Sequence, residues 1–370
     1  FDALAGADGI RPILVTDEQS ASFMADGLWR ASGQLGCVNL VPGAGLTHAL
    51  SGIAEAYMDN VPLLVLGCGI RRDSGRAYQL HDIDQQSLVR PVVKETYLVE
   101  TVGDLYSVVR EACQAARRGV PGPVFVEVPA NLYLLKGDVE DDYRVRGGRE
   151  IPSVPRAAGF SSGVAAIAGV LRGARRPLLY LGAGAGGAGS MLVELAEGLE
   201  APVSTTFQGK GVFPESHPLF LWPGFGKAAP PFARKLAESC DATLAIGCRF
   251  GEVATGSYGM MPPDPLIHVD IDPGVFDRNY TSRLNIQADA GEFVAALLEE
   301  LEKKGGRTPD NALRTRIRSG HKAIWSDWLR EAGGPGVTPA LLLKTLQEVL
   351  GPEAVYSTDS GNGTFLAMEC

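Results

Sequence analysis

Glu18 is the first residue whose type and position favour chemistry. It directly follows the apolar run 13–15, which has strand character, and it begins the helical pattern of residues 18–27. A carboxylate at the carboxyl end of a strand lies where open α/β sheets place their ligand crevices, so Glu18 is a candidate ligand-binding group. A second interpretation stays open, because Asp17 and Glu18 also favour a helix N-terminus by roughly 0.3–1 kcal/mol each.

A glycine turn follows the next predicted strand, residues 36–41. Gly43 and Gly45 lie between that strand and a helix that runs to residue 58. Glycines in this position let backbone N–H groups approach a ligand closely. Because such turns are common in proteins, this turn alone does not identify a ligand.

A second glycine-rich turn, residues 182–187, matches the fingerprint of dinucleotide-binding proteins. It includes Gly182 and Gly184, and it lies between a predicted strand and a predicted helix at 191–199. In that fingerprint an acidic residue ends the next strand and binds the ribose. Here the next strand ends around Thr205 without an acid, which argues against an NAD site.

Charged residues end two later predicted strands. Strand 242–247 is followed by Arg249, whose guanidinium is suited to a phosphate. Strand 266–272 ends with Asp270 and Asp272, whose carboxylates are suited to a ribose or an adenine edge. The alternative for both strands is charge placed at solvent-exposed strand ends.

The order of the predicted elements indicates an α/β fold. Helices and strands alternate through residues 1–145 and again through residues 160–305, as they do in doubly wound parallel sheets. Residues 306–336 are predicted to be a charged helical linker, and a third unit starts in residues 337–370 with a helix and the strand 354–358. The predicted fold class is therefore α/β with three doubly wound parallel-sheet domains.

Composition and charge argue against several classes of function. The 370 residues carry a formal net charge of −9, and basic residues form only short pairs, so no nucleic-acid interface is predicted. We find no apolar run of membrane-spanning length and no signal peptide. The six cysteines and five histidines show no metal-ligand spacing, so no metal site is predicted from them and a reducing, cytoplasmic location is expected. Phe1 and Cys370 both lie inside predicted helices, so we expect further residues beyond both ends.

The order of these motifs resembles the thiamine-diphosphate-dependent enzymes, in particular the acetolactate synthase-like large subunits, over essentially the whole chain. That family has a glutamate after a short strand, as Glu18 is here, and a glycine turn ending in Thr-Asn, where this chain has Thr47 and His48. A Gln or Glu is usual three residues before an aspartate of a later loop, where this chain has His81 before Asp84. Three further segments are similar to the middle domains of the acetolactate synthase branch: 205–211, 247–250 and 268–273.

The resemblance implies a division of the chain. Residues 1–145 would be a pyrimidine-binding domain that lacks its first segment, and residues 160–305 a middle domain similar to those that bind FAD or ADP. Residues 337–370 would be the start of a diphosphate-binding domain. Members of this family share each cofactor site between subunits, so a homodimer or homotetramer is expected.

The resemblance also implies roles for residues near the thiamine ring. Glu18 would bind N1′ of the aminopyrimidine, and apolar surroundings would raise the pKa of its carboxyl group. Gly43, Gly45 and Thr47 would bring the chain close to the cofactor.

His48 and His81 depart from the family pattern in segments that normally face the thiazolium or the substrate. Because histidine donates, accepts and titrates near neutral pH, both are predicted to tune the acceptor or a protonation step. A structural role is the alternative for each of them.

In this family the diphosphate is held through Mg²⁺ by a Gly-Asp-Gly turn with a downstream Asn. No such motif lies before Cys370, but Asp359, Gly361 and Asn362 resemble the turn that precedes it and are predicted to bind the cofactor. The candidates for FAD or ADP in the middle domain are Gly182, Gly184, Thr205, Arg249, Asp270 and Asp272. Related members use the same fold with or without a flavin.

The predicted function is thiamine-diphosphate- and Mg²⁺-dependent formation or cleavage of a C–C bond in a 2-oxo acid. Pyruvate would be the donor in an acetolactate synthase-like reaction. Three alternatives stay open: a lyase that uses the same cofactor on a 2-hydroxyacyl thioester, a non-catalytic nucleotide-binding module that uses the 182–187 turn and Arg249, and a cofactor-free form with disordered active-site segments.

Overall fold

The computed structural model describes residues 6–7, 9–134, 159–224, 226, 229–303, 305–331, 336–358 and 361–369. The chain divides into two compact units, Phe1–Ser153 and Val154–Cys370, called the first and second unit below. Each unit is built around its own sheet, and the described strand pairs of both sheets are parallel.

The first unit contains a sheet of strand order β1-β2-β4-β3. Its strands are β1 (Gly36–Leu40), β2 (Leu63–Gly69), β3 (Glu95–Leu98) and β4 (Pro123–Pro129). Val65 of β2 pairs with Val38 on one side and with Phe125 on the other, so β2 and β4 form the middle of the sheet. Every residue of β4 is buried, as expected for a continuous apolar run inside a parallel sheet.

Helices cover the sheet of the first unit. They are α1 (Glu18–Ser32), α2 (Ala44–Met58), α3 (Gln85–Val89), α4 (Leu105–Arg117) and α5 (Ala130–Leu134), with a 3₁₀ turn at Arg90–Val92. Asp17 caps α1, because its side chain accepts a hydrogen bond from the Ser20 N–H. Gly33 ends the same helix in the left-handed conformation, with φ of 67°, and its N–H bonds to the Trp29 carbonyl.

Helices α1 and α2 pack together at a small-residue contact. A Cβ added at Gly52 of α2 would lie 2.3 Å from the Ser22 hydroxyl oxygen and 2.9 Å from the Phe23 nitrogen of α1. Leu46 and Ile53 of α2 are fully buried in the adjoining core. The close approach therefore fixes the starts of the two helices, which carry Glu18 and His48, relative to each other.

The second unit contains a six-stranded sheet of order β10-β9-β8-β5-β6-β7. Its strands are β5 (Pro177–Leu181), β6 (Val203–Thr205), β7 (Phe220–Pro223), β8 (Ala242–Ile246), β9 (Leu266–Asp270) and β10 (Leu284–Gln287). Strands β5, β8 and β9 are buried along their whole length. Tyr180, Phe213, Trp222 and Phe293 are the largest side chains in the core of this unit.

Helices of the second unit flank its sheet and continue beyond it. They are α6 (Phe160–Gly173), α7 (Met191–Leu199), α8 (Pro231–Glu238), α9 (Ala290–Glu302), α10 (Asn311–Glu331), α11 (Pro339–Leu350) and α12 (Asn362–Glu369), with 3₁₀ turns at Ala183–Ala188 and Pro273–Val275. Helix α10 adds Leu313 and Ile317 to the core. Its Trp328 ring packs edge-on against Trp222 at 6.1 Å.

The α/β class and the two parallel sheets agree with the prediction, whereas the third doubly wound domain is not seen. The predicted strand 354–358 forms no strand, and Val355 is 96% exposed. The predicted strand 13–15 also forms none, and Leu14 is 88% exposed. An apolar run becomes a strand only where a neighbouring strand satisfies its backbone, and in the described parts of the chain neither run has such a neighbour.

Two searches of the described residues gave negative results. None of their helices is both long and apolar enough to span a membrane. Nor do three or more His, Cys, Asp or Glu side chains gather anywhere among them in a way that could hold a metal ion.

Candidate functional site

Glu18 begins α1 and faces the first turn of α2. A Cβ added at Gly45 would lie 3.2 Å from Glu18 Oε1 and 2.5 Å from Val41 Cγ1. The side chain of Glu18 is 36% exposed. The absence of a side chain at Gly45 therefore lets Val41 and one carboxylate oxygen of Glu18 pack directly against the glycine backbone.

His48 contacts both acids at the start of α1. Its Nδ1 lies 3.0 Å from Glu18 Oε2, and its Nε2 lies 3.2 Å from Asp17 Oδ1. The structure thus brings together two of the predicted site residues, Glu18 and His48. It adds Asp17, which the sequence marked only as an acid at a helix start.

The expectation of a raised pKa for Glu18 is wrong. The hydrogen bond from His48 is the main cause that holds the pKa of Glu18 below its ordinary value. The surroundings are not apolar enough to oppose it, because the Glu18 side chain is in contact with solvent. Phe23 and Met24, the large apolar side chains nearest to Glu18 along α1, are themselves exposed.

His81 lies against the glycine turn before α2. Gly43 has φ of 64°, and a Cβ added to it would lie 3.0 Å from His81 Cβ and 3.1 Å from the His81 carbonyl oxygen. His81 itself has φ of 65°, an uncommon conformation for a residue with a side chain. The structure therefore places His81 beside the turn that leads to Gly45, as the predicted site requires.

Gln85 supports the same turn, and the sequence did not single it out. Its Oε1 accepts a hydrogen bond from the Gly43 N–H at 3.0 Å, and its Nε2 donates to the Cys68 carbonyl at 3.0 Å. Gln85 is buried. A single glutamine within a polar stretch gives no sequence signal of such a role, because both partners are distant along the chain.

Thr47 uses its hydroxyl within α2. The Thr47 Oγ1 donates to the Ala44 carbonyl at 2.9 Å, and the residue is exposed. Its predicted role in binding a cofactor stays a prediction.

In the second unit, Gly182 and Gly184 serve close packing between two strand ends. A Cβ at Gly182 would lie 1.9 Å from the Gly247 carbonyl oxygen, and one at Gly184 would lie 2.9 Å from Gly247 Cα. An added Cβ at Gly187, which ends the turn, or at Gly189, just after it, would meet nothing within 4 Å. The backbone is therefore open at the end of the turn.

The other predicted residues of the second unit lie at the same edge of the sheet, because parallel strands end together. Thr205 ends β6; it is fully buried, and its hydroxyl has no hydrogen-bond partner in the described part of the chain. Arg249 is exposed just beyond β8. Asp270 ends β9 and is 8% exposed, and this burial raises its pKa to about 6. Asp272 caps the following 3₁₀ turn by accepting from the Gly274 N–H at 2.8 Å.

The last predicted group is only partly within the described residues. Asp359 and the side chain of Asn362 lie outside them. Gly361 precedes α12 with φ of 150°. In α12 the ring of Phe365 lies 5.5 Å from that of Phe207, which follows β6. This contact joins the end of the second unit to its sheet region.

Two family models match the chain. Residues 1–88 match the N-terminal TPP binding domain of thiamine pyrophosphate enzymes, and residues 164–297 match their central domain. This chain belongs to the thiamine pyrophosphate enzyme family. One match lies in each structural unit. The first includes Glu18 and His48, and the second includes the 182–187 turn.

Known members of the thiamine pyrophosphate enzyme family match most of the chain. The chain is 30% identical over 372 residues to the acetolactate synthase isozyme 3 large subunit of Escherichia coli. The aligned region covers 97% of the chain and 60% of that protein. The chain is 32% identical over 305 residues to a probable acetolactate synthase large subunit of Methanocaldococcus jannaschii, with 81% of the chain and 51% of that protein covered. The chain thus spans 51 to 60% of the length of these relatives.

The residues of the first unit fit the aminopyrimidine ring of thiamine pyrophosphate, the diphosphate ester of thiamine. That flat ring presents nitrogen groups at its edge, and Glu18 offers an exposed carboxylate to them. The absent Cβ at Gly45 lets the glycine backbone lie close to Oε1, where an added carbon would be only 3.2 Å away. The glycine turn and the glutamate, which come from separate elements, thus form one cradle.

Proposed function

We propose that this chain belongs to an enzyme that uses thiamine diphosphate and Mg²⁺ to make or break a C–C bond next to the carbonyl of a 2-oxo acid. The reaction would be acetolactate synthase-like, with pyruvate as the donor. The observation that carries the proposal is the Glu18 carboxylate at the start of α1, which faces the side-chain-free Gly45. The named relatives, all acetolactate synthase subunits, support the choice of substrate class.

When bound, thiamine diphosphate supplies a nucleophilic carbon and then an electron sink for the decarboxylation or ligation step. Glu18 holds the pyrimidine edge and takes or returns a proton at its carboxylate. His48 keeps the other carboxylate oxygen occupied through its 3.0 Å contact. Gly43 and Gly45 bring the backbone close to the ring without a side chain between them.

His81 is proposed to act on the substrate side of the same site. Its Cβ and backbone lie against Gly43, so its ring is carried by the loop that borders the glycine turn. A histidine can donate to or accept from a carboxylate or carbonyl of the substrate near neutral pH. His81→Ala should therefore slow turnover or change the product, and turnover at the wild-type rate with an unchanged product would sink this assignment.

The turn at Asp359, Gly361 and Asn362 is proposed to contact the cofactor. We also propose that two copies of the chain assemble. Apolar side chains on α1 support this, since Phe23, Met24 and Leu28 are all more than 40% exposed on that one helix. Sedimentation of the full-length protein would test the assembly, and a monomer at micromolar concentration would contradict it.

For the second unit we propose FAD or ADP binding at the edge that carries the 182–187 turn. The open backbone at Gly187 and Gly189 and the exposed Arg249 support a nucleotide phosphate there. The absorbance spectrum of the purified protein, followed by extraction of bound nucleotide, would test it. A protein that binds neither FAD nor ADP in a titration would contradict it.

The main experiment measures CO₂ release from pyruvate and larger 2-oxo acids by the full-length protein, with and without thiamine diphosphate and Mg²⁺. Glu18→Gln is the test variant. Glu194→Gln is the matched control, because Glu194 is also an exposed acid in the first turn of a helix. We expect cofactor-dependent release that falls at least about a hundredfold in Glu18→Gln, the scale of a lost general acid–base group, and is unchanged in Glu194→Gln.

Two negative outcomes separate the alternatives. No release from any 2-oxo acid, together with cofactor-dependent cleavage of a 2-hydroxyacyl thioester, would replace the substrate class and keep the cofactor. No binding of thiamine diphosphate in a titration would contradict the proposed enzyme and favour a nucleotide-binding module.

A further inference from the structure

His48 joins two carboxylates through its two ring nitrogens. Nδ1 contacts Glu18 Oε2 at 3.0 Å and Nε2 contacts Asp17 Oδ1 at 3.2 Å. A neutral imidazole carries one N–H and can donate to only one of these acids, whereas the imidazolium donates to both. Among the described residues, Asp17 and Glu18 are the charged side chains within ion-pair distance of the ring.

Asp17 is itself held in place by the helix that it caps. Its Oδ2 accepts from the Ser20 N–H at 2.7 Å and from the Ser20 hydroxyl. Its other oxygen, Oδ1, is the one that faces His48. The cap thus fixes the Asp17 carboxylate, and the carboxylate in turn fixes the plane of the His48 ring.

Glu18 divides its two oxygens in the same way. Oε2 is engaged by His48, while Oε1 faces the backbone of Gly45. The contacts therefore run from the N-cap through the imidazole to one oxygen of Glu18. Among the described residues no hydrogen bond from another residue engages Oε1, so this is the oxygen that can meet a ligand.

We infer that His48 and Asp17 are positioning residues that hold Oε2 of Glu18 and leave Oε1 for the ligand. The inference rests on the proposed function and goes beyond it, because it assigns Asp17 and defines how His48 acts. The lowered pKa of Glu18, caused mainly by the His48 hydrogen bond, is consistent with this role.

Three variants test the inference. His48→Leu removes both donors, and His48→Asn keeps one amide donor, which is the residue type usual in related enzymes. Asp17→Asn keeps a side-chain oxygen for the cap but removes the charge that faces Nε2. The matched control is Asp289→Asn, because Asp289 also caps a helix, by accepting from the Glu292 N–H at 3.1 Å, and lies in the second unit.

The kinetic readout is kcat, KM and the pH profile of cofactor-dependent CO₂ release. We expect His48→Leu to lower kcat about tenfold, the scale of one charge-assisted hydrogen bond, with KM for the oxo acid nearly unchanged. His48→Asn should recover most of that loss. His48→Leu should also move the acidic limb of the pH profile to higher pH, because the His48 hydrogen bond no longer lowers the pKa of Glu18. Asp289→Asn should behave as the wild type.

A second readout does not depend on activity. Long-range ¹H–¹⁵N spectra of the full-length protein without cofactor report the protonation of each histidine nitrogen, and His48→Asn identifies the signals of His48. We expect the Nε2 signal of His48 to differ between Asp17→Asn and the wild type, because the carboxylate that contacts Nε2 at 3.2 Å is replaced by an amide.

The outcomes separate this inference from the proposed function. An active wild type that is abolished by Glu18→Gln but unchanged in rate and pH profile by His48→Leu would overturn the inference and leave the function standing. An inactive wild type whose His48 spectra depend on Asp17 would support the bridge and overturn the function. Spectra of His48 that are the same in Asp17→Asn and wild type would overturn the bridge itself.

Discussion

Gly45 and Glu18 face each other across the starts of two helices, so closely that a single added carbon on Gly45 would sit 3.2 Å from Glu18 Oε1. The same carbon would sit 2.5 Å from Val41 Cγ1, a distance that real Cβ atoms do not tolerate. Gly45 is therefore required by the packing around it, because no side chain fits between Val41 and Glu18.

Gly45→Ala is predicted to weaken both stability and cofactor binding. The clash with Val41 should cost roughly 1–3 kcal/mol of unfolding free energy, more than alanine gains in helix propensity. Affinity for thiamine diphosphate should fall at least about tenfold, since the new methyl would press on the Glu18 carboxylate that is proposed to hold the cofactor. Chemical unfolding and a cofactor titration measure the two effects.

Gly27→Ala is the control for that substitution. Gly27 is an exposed glycine in α1, and an added Cβ would meet nothing within 4 Å. It should raise the unfolding free energy by roughly 0.5–1 kcal/mol and leave affinity unchanged. An equal gain from Gly45→Ala would show that the space beside Glu18 is not restricted as described.

Gly43→Ala should destabilise the first unit through strain and contact together. Its φ of 64° disfavours a side chain, and the new Cβ would meet His81 Cβ at 3.0 Å. Gly33→Ala isolates the strain, because Gly33 has φ of 67° but open space around it. We expect a loss of about 1 kcal/mol in Gly33→Ala and roughly 2–3 kcal/mol in Gly43→Ala, measured by urea unfolding. Equal losses would argue against the His81 contact.

Gln85→Leu should loosen the glycine turn. It leaves the Gly43 N–H and the Cys68 carbonyl without the partner that each now has at 3.0 Å. Each buried polar group left unpaired costs roughly 1–3 kcal/mol. Gln34→Leu, at an exposed position of the same unit, should change stability by less than about 0.5 kcal/mol. If the two variants unfold at the same urea concentration, Gln85 does not support the turn.

Asp270 makes the stability of the second unit depend on pH. Burial raises its pKa to about 6 from an ordinary value of 3.8, so the folded state holds a proton between those values that the unfolded state has released. Stability should therefore fall as pH rises from about 4 through 6, by up to roughly 3 kcal/mol, and then level off. Asp270→Asn removes this loss of stability, because an amide does not titrate. Its oxygen can still accept the hydrogen bond from the Asp272 N–H, which Asp270 Oδ1 now accepts at 2.9 Å.

Comparing the stability of Asp270→Asn and the wild type at two pH values tests whether burial of the Asp270 charge causes the loss. Asp270→Asn should be more stable than the wild type at pH 8 and no more stable near pH 4. Asp272→Asn keeps the cap of its 3₁₀ turn and should show a smaller difference of the same sign, because the Asp272 charge also helps to raise the pKa of Asp270. A gain of the same size at both pH values would mean that burial of the charge is not its cause.

Much of the architecture could be predicted from the sequence because buried parallel strands are continuous apolar runs. The strands predicted at 242–247 and 266–272 are β8 (Ala242–Ile246) and β9 (Leu266–Asp270), which begin at the predicted residues and end one and two residues earlier. The edge strands β3 and β10 were not predicted, because they are only half-buried and their residues lack a continuous apolar run.

The sequence predicted which residues form the candidate site better than it predicted their contacts. Motif order pointed to Glu18 and His48, and the structure places their side chains 3.0 Å apart. The pairing of His48 with Asp17, and of Gln85 with Gly43, joins residues 31 and 42 positions apart in the chain. Such contacts depend on how helices and loops pack, which local propensity does not encode.

The contact between Gly52 and Ser22 has a mechanical consequence for the site. With a gap too small for one methyl group between them, α1 and α2 cannot slide or roll past each other without breaking the core below. Glu18 and His48 are therefore carried on one stiff block, and any rearrangement of surrounding loops transports the pair as a unit. Substitutions elsewhere in the chain can therefore change which ligand reaches the Glu18 carboxylate without changing the angle between that carboxylate and the His48 imidazole.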